Sequence, residues 1–223
     1  MNTEAGNQLE QDAEGASAPE KSVERLALYR RLLGYARDDG KKTIFSHEIA
    51  AASCASPVQV RRDLMEVGTL GHPRHGYEVD VLLRQLDGYF GMPAGIPMAL
   101  VGIGNLGRAI LGYFSGGKDH ISVNAAFDRD PGKTGRTING VRCHAVSELP
   151  AVLAAAPVQV GIIAVPAAEA QAVADLLVAA GVRGLMNMAP ARLRVPPKVF
   201  VEDIDIALAI EKVSFFSRLR VKS

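Results

Sequence analysis

MALVGIGNLGRAILGYF, residues 98–114, decides how this chain folds. The apolar run Met98–Ile103 reads as a strand, Gly102-x-Gly104-x-x-Gly107 overlaps its end, and Asn105–Phe114 reads as a helix. In such a strand–loop–helix, Gly102 allows the tight turn, Gly104 lets backbone approach a pyrophosphate, and Gly107 lets helix and strand pack closely. The helix N-terminus offers its unpaired N–H groups to the anion, which brings Ile103, Asn105 and Leu106 into the candidate binding loop. A dinucleotide also needs a carboxylate about 20 residues on, at the end of the second strand, for the adenosine ribose. Asp128, in AAFDRDP, lies 21 residues past Gly107. Its charge opposes a 2′-phosphate and so favours NAD(H) over NADP(H); Arg129, beside it, is able to accommodate one.

Beyond this unit, strand-like runs at Ser122–Phe127, Val158–Val165, Gly184–Met188 and Lys198–Val201 alternate with helical runs at Val146–Ala155 and Ala167–Ala180. Alternation of this kind predicts an α/β domain over 98–203, a Rossmann-type doubly wound parallel sheet with helices on both faces. Ile206–Leu219, within the closing segment 204–223, is too apolar for an isolated surface helix and is expected to need a partner surface.

Before the sheet, GMPAGIP (91–97) has two glycines and two prolines in seven residues and reads as a linker. Residues 21–90 read as a winged helix-turn-helix. Apolar positions at Val23, Leu26, Leu28, Leu32 and Leu33 mark a first helix that ends near Gly40. A short helix starts at Ser46. In SPVQVRRDLMEVG, Ser56 is an N-cap, Pro57 the first helical residue and Gln59 the third residue after the cap, with Gly68 closing the helix. Two short helices joined by a tight turn after a longer one make the motif. Glycine-rich, basic GTLGHPRHGY (68–77) reads as the wing, and Val79–Phe90 as a closing amphipathic helix.

Ser56, Gln59, Arg61 and Arg62 fall in the first two turns of the second short helix, where a helix entering the major groove meets bases and phosphates. The same residues would serve a merely solvated face. Arg74, with His72 and His75, lies in the wing, where surface histidines rather than ligands are the plainer reading. Bulk charge does not decide between these: the formal net charge is +1, distributed as −5 over residues 1–20, +2 over 21–90 and +4 over 91–223. A nucleic-acid surface must come from local placement. Residues 1–20, acidic and poor in bulky apolar side chains, are expected to be a disordered tail.

No apolar run reaches a membrane span and the N-terminus lacks a basic, then apolar, leader, so neither anchor nor signal peptide is expected. Cys54 and Cys143 fall in different domains with no C-x-x-C or His/Cys cluster. Reduced structural thiols in the cytoplasm are expected, with no metal site. An oxidoreductase would need an acid/base over the nicotinamide. His144 and His120 sit in no recognisable catalytic motif, and Lys133 reads as a cofactor-loop or surface lysine. No catalytic residue is assigned.

QVRRDL, VGIGNLGRAI, AAFDRDP, AVPA, ADLLVAAGVRGLMNMAP and VEDID, in that order, resemble the redox-sensing transcriptional repressor Rex family of bacteria. The resemblance runs from Arg25 to about Phe216. It implies a cytoplasmic homodimeric repressor that binds double-stranded operator DNA when free or NAD⁺-bound and is released by NADH, with the C-terminal helix exchanged across the dimer. It places the pyrophosphate on Gly102–Gly107 and the ribose on Asp128, and it puts Val165, Pro166, Asn187 and Pro190 along the nicotinamide side. Tyr113 falls near the nicotinamide. Asp205 is implied to pair with Arg31, and Tyr113, Asp205 and Arg31 would form the switch. The wing departs from the family pattern: Pro73-Arg74-His75-Gly76-Tyr77 stands where the family has Arg-Gly-x-Gly-Tyr. The alternatives are an NAD-dependent oxidoreductase with an N-terminal extension, and a regulator that binds CoA or another nucleotide.

Overall fold

The computed structural model describes residues 19–69, 71–72, 74–91, 96–114 and 121–220, with residues 219 and 220 described by their backbone alone. The acidic stretch 1–18, Pro73, His120 and most of the expected linker lie outside the described residues. The chain divides into two compact units, the first ending at Pro93 and the second starting at Ala94.

The first unit contains helix α1 (Glu20–Asp38), strand β1 (Thr43–Ile44), α2 (Ser46–Ser53), α3 (Pro57–Glu66), β2 (Tyr77–Glu78) and α4 (Val79–Tyr89). The caps act as the sequence predicts at α3, where Ser56 Oγ accepts the Gln59 N–H at 3.1 Å and Pro57 opens the helix. α2 starts differently: Glu48 reaches back to accept the Phe45 N–H at 2.8 Å, satisfying a donor that the first turn leaves over. The core joins Leu26, Tyr29 and Leu33 of α1 to Ile49, Val60, Leu64, Leu82 and Leu86. The buried stripe of α1 is thus 26/29/33, where apolarity alone favours a set that includes Leu28 and Leu32. Tyr29 is fully buried because its hydroxyl donates to Asp63 at 2.9 Å, which removes the cost of an unpaired buried donor. β1 and β2 pair antiparallel, and a turn bridged between His72 and Gly76 leads into β2.

The second unit is built on β3 (Ile96–Val101), α5 (Asn105–Phe114), β4 (Ile121–Asp128), β5 (Thr137–Ile138), β6 (Val141–Ala145), α6 (Leu149–Ala155), β7 (Val160–Ile163), α7 (Ala167–Ala179), β8 (Gly184–Asn187), β9 (Phe200–Asp203) and α8 (Ile206–Arg220). The sheet order β5-β6-β4-β3-β7-β8-β9 contains the 3-2-1-4-5-6 order of dinucleotide-binding sheets, with β5 as an added antiparallel edge. Two placements differ from the sequence reading. Ile96 and Pro97, assigned to the linker, belong to β3, where they pair with Ile121 and Ser122. The hairpin β5–β6 was missed, because TINGVRCHA is polar and short. Its turn is set by Asn139 and Gly140, both at positive φ, an Asn-Gly hairpin signal that was available in the sequence.

One face of the sheet is sealed by α6 and α7 through Leu149, Leu153, Ala170, Val173, Ala174 and Leu177. On the other face, Leu111 of α5 packs with Met98, Leu100 and Ile162, while Met186, Met188 and Val160 stay partly uncovered. Among the described residues no helix is long and apolar enough to cross a membrane.

Candidate functional site

The carboxyl ends of β3, β4 and β7 frame a cleft of about 470 Å³ at the point where the strand order reverses. Open α/β sheets bind their ligands there, because diverging connections leave a crevice. The three glycines of the loop have separate reasons to be glycine. At Gly102 φ is +98° and a Cβ would lie 2.3 Å from the Ala164 carbonyl oxygen; at Gly107 it would lie 2.0 Å from the Gly102 carbonyl oxygen. Those two are demanded by the protein's own packing. A Cβ on Gly104 would meet no protein atom within 4 Å, and Gly104 lines the cleft. Bare backbone facing open cleft at the start of a helix is what a pyrophosphate requires, and the loop fits a dinucleotide.

Asp128 does more than the sequence reading gave it. Its Oδ2 accepts the Ile103 N–H at 2.7 Å and pairs with Lys133 Nζ at 3.0 Å, while Oδ1 accepts the Asp130 N–H at 2.9 Å. Burial pushes the carboxyl's pKa up. The hydrogen bonds from Asp130, Lys133 and Ile103 outweigh it and hold the group below the ordinary carboxylate range. Asp128 is therefore ionised, buried and internally bonded, and it fixes the glycine loop as well as facing the cleft. The Ile103 N–H is used in this way, and its side chain is buried in the core, so Ile103 is a support of the loop. Arg129 and Glu169 pair at 2.5 Å and both line the cleft, beside the apolar Val146, Ala172, Val173 and Leu176. That stretch suits a flat, apolar ring such as adenine. Val165 and Pro166 also line the cleft.

Several residues of the expected cofactor site do not line this cleft. Asn187 is buried, and its amide is consumed within the protein: Nδ2 donates to the Ala191 carbonyl and to Asp203 Oδ1, both at 2.7 Å, and Oδ1 accepts the Ala189 N–H at 3.1 Å. It pins the NMAP turn to β9 and does not line the cleft; nor does Pro190, which is exposed. Tyr113 is exposed near the C-terminal end of α5 and lies outside the lining. Asn105 and Leu106 are exposed in the first turn of α5.

In the first unit, Arg61 and Arg62 are exposed on α3, with Arg61 Nη1 donating to Ser46 Oγ at 3.1 Å across to α2. Gln59 is half-buried, and its Nε2 donates to Asp63 Oδ1 at 2.6 Å. Asp63 is the residue that the sequence reading missed: fully buried, it takes a two-pronged contact from Arg25 (2.7 and 2.8 Å) as well as Tyr29 and Gln59. Burial acts to raise the pKa of Asp63, but Arg25, Gln59 and Tyr29 together hold it below the usual range. The tyrosine is pushed up to about 12 by burial and by that neighbour. The cluster docks α3 onto α1. An R-x-x-x-Y spacing opposite a lone helix aspartate is its only trace in the sequence. Arg74 is exposed in the wing. Arg31 is exposed on α1, where its neighbour Arg30 pairs with Asp87 at 2.5 Å. Asp205 Oδ1 accepts the Leu208 N–H at 3.0 Å and so caps α8.

Comparison with known proteins bears on both units. The family model "CoA binding domain" matches residues 96–191, and the family model "Putative DNA-binding protein N-terminus" matches residues 17–64. A redox-sensing transcriptional repressor Rex of Desulfitobacterium hafniense is 39% identical, covering 88% of this chain and 94% of its own. That of Streptomyces coelicolor is 36% identical, covering 88% and 76%. Among solved structures, the Rex-family repressor RSP in complex with NAD⁺ and operator DNA superposes with a TM-score of 0.81 at 28% identity, covering 93% of this chain and 99% of that one. RSP with NADH gives 0.80 over 93% and 96%.

Proposed function

This chain belongs to the Rex family of redox-sensing transcriptional repressors, and from that premise we infer that it binds operator DNA through its first unit and is released when NADH occupies its second. The observation that carries the reading is the loop at Gly104, whose bare backbone opens on a cleft with an apolar adenine side, in a chain that also presents Arg61 and Arg62 on an exposed helix. NAD⁺ and NADH are the effectors. Gly102, Gly104 and the first turn of α5 through Gly107 would cradle the pyrophosphate; Asp128 and Lys133 would stand at the ribose, Arg129 at the adenine, and Val165 and Pro166 toward the nicotinamide. Ser56, Gln59, Arg61, Arg62 and Arg74 would meet DNA. Asn187 and Pro190 would shape the nicotinamide side from behind.

The reading is of a regulator that acts on DNA in the cytoplasm and binds its cofactor without turning it over. The ionisable side chains that line the cleft, Asp128, Arg129, Lys133 and Glu169, are all engaged in ion pairs, which suits binding better than proton transfer. The domain organisation follows: an acidic tail, the winged helix, a linker, the Rossmann domain to 203, and α8. That helix exposes Ile206, Leu208, Ile210, Val213, Phe215 and Phe216, each more than half accessible. Apolar area of that extent needs covering, and a second copy of the chain is the occupant that a homodimeric repressor supplies. Tyr113, Arg31 and Asp205 would form the switch. In it the oxidised and reduced rings would bias two sets of contacts.

The test is binding to DNA from the chain's own upstream region, followed by anisotropy, with NADH added at fixed NAD⁺. Release by NADH and not by NADPH is expected, with Arg61→Ala and Arg62→Ala each flattening the salt dependence by about one phosphate contact's worth, a slope change of roughly 0.9. DNA binding indifferent to NADH would overturn the sensor reading, and competition of CoA with NADH would favour the nucleotide-regulator alternative.

A further inference from the structure

Helix α3 carries an apolar side chain where a DNA-reading helix meets base edges. Val58, in its first turn, is 66% exposed, while Val60, Asp63 and Leu64 on the opposite side of the helix are buried. We propose that Val58 reads a thymine, packing against its C5-methyl group in the major groove. The inference rests on α3 being the helix that enters the groove, and it adds a specificity-determining residue to that reading.

The first support is the company that Val58 keeps. Residues three and four apart are neighbours on a helix surface, which puts Arg61 and Arg62 beside Val58, one on each side, and all three are exposed. No acid interrupts that face: Asp63 is buried, and Glu66 is the last residue of the helix, two turns further on. Two arginines with no acid between them draw the face onto the phosphates and carry Val58 into the groove with them.

The second support is what the surrounding atoms do. Ser56 Oγ accepts the Gln59 N–H at 3.1 Å, Gln59 Nε2 donates to Asp63 Oδ1 at 2.6 Å, and Arg61 Nη1 donates to Ser46 Oγ at 3.1 Å. These polar side chains have uses within the fold. Val58 has none: among the described residues it belongs neither to the core of the first unit nor to the apolar residues packed against that core. The third support is chemical. Valine has no donor or acceptor, and the thymine methyl is the apolar group that projects into the major groove. Placed over cytosine N4–H or purine N7, Val58 would strip water from a polar atom and return no hydrogen bond. Against the methyl, two apolar surfaces leave water together. A β-branched side chain also holds one χ1 rotamer in a helix, so little freedom is lost on contact.

The experiment is anisotropy binding of the full chain, in NAD⁺, to the shortest upstream duplex that wild type holds. Each thymine is replaced in turn by deoxyuridine, which removes the methyl and leaves the pairing edge intact. At one thymine in each half-site the replacement should weaken wild type about fourfold, the worth of one buried methyl group. Val58→Ala should bind the thymine duplex as wild type binds the deoxyuridine one, and should be indifferent to the replacement. Met65→Ala, which removes another exposed apolar side chain from the far end of α3, should keep the wild-type discrimination. The salt dependence should be equal in all three proteins, because no phosphate contact is lost. Urea unfolding of Val58→Ala should match wild type, as the side chain lies outside the core. Wild-type binding indifferent to deoxyuridine at every thymine, or a Val58→Ala protein that discriminates as wild type does, would overturn the proposal. Arg61→Ala and Arg62→Ala proteins that both bind as tightly as wild type would instead remove α3 from the groove, and this proposal with it.

Discussion

Replacing Gly104 and Gly107 by alanine, one at a time, separates what the glycine loop does for the fold from what it does for the ligand. A Cβ on Gly107 would stand 2.0 Å from the Gly102 carbonyl oxygen and 3.0 Å from its carbon. Both are backbone atoms, so no side chain can rotate away; helix α5 and strand β3 must part by more than an ångström. Overpacking costs about 1–3 kcal/mol where side chains can yield, so about 3 kcal/mol or more is expected here. At Gly104 a Cβ meets nothing, and φ lies outside the left-handed region. Alanine there should leave stability unchanged or raise it by about 0.4–1 kcal/mol, through a less flexible unfolded chain. The same methyl stands where the pyrophosphate would approach, and NADH affinity should fall at least tenfold, about 1.4 kcal/mol. Urea unfolding gives the first quantity and NADH fluorescence titration the second. Wild-type NADH affinity in Gly104→Ala would remove the pyrophosphate from this loop. A loss of stability in Gly104→Ala equal to that in Gly107→Ala would refute the division of roles.

Asp63→Ala should destabilise the first unit by about 3 kcal/mol, the lower end for a broken buried pair, because Arg25 stays 27% exposed and can rehydrate; differential unfolding of the two units would measure it. The pKa of Asp63 is lowered on folding, so its contribution is full above the unfolded carboxylate value, about 3.9, and is lost as pH falls through the folded value. Acid unfolding of this unit below about pH 4 should therefore flatten in Asp63→Asn, and an unaltered acid limb would contradict the assignment. On α8, Leu208→Asp with Phe215→Asp removes apolar surface that is exposed within the chain. The second unit should fold as before while light scattering shows a monomer; a variant still dimeric would place the dimer surface elsewhere.

Local chemistry made much of this protein legible in its sequence. Ser56-Pro57, the apolar runs of the parallel strands, and Gly102-x-Gly104-x-x-Gly107 with Asp128 are statements about backbone dihedrals, unpaired N–H groups and burial of whole strands, which nearest neighbours settle. The hairpin β5–β6 was legible only through Asn139-Gly140, because its strands are too short to show a period. What a side chain does with its polar atoms was decided by the tertiary structure. Gln59 meets Asp63 within one helix, four residues on, but that carboxylate is buried and paired only because α1 brings Arg25 and Tyr29 to it from 34 and more residues away. Asn187 spends its amide on Ala191 and Asp203, and Asp128 holds Ile103, 25 residues back in the chain. Hydrogen-bond partners brought together from distant segments leave no periodic trace in sequence, since one polar residue at each end suffices and its geometry exists only once the core has packed.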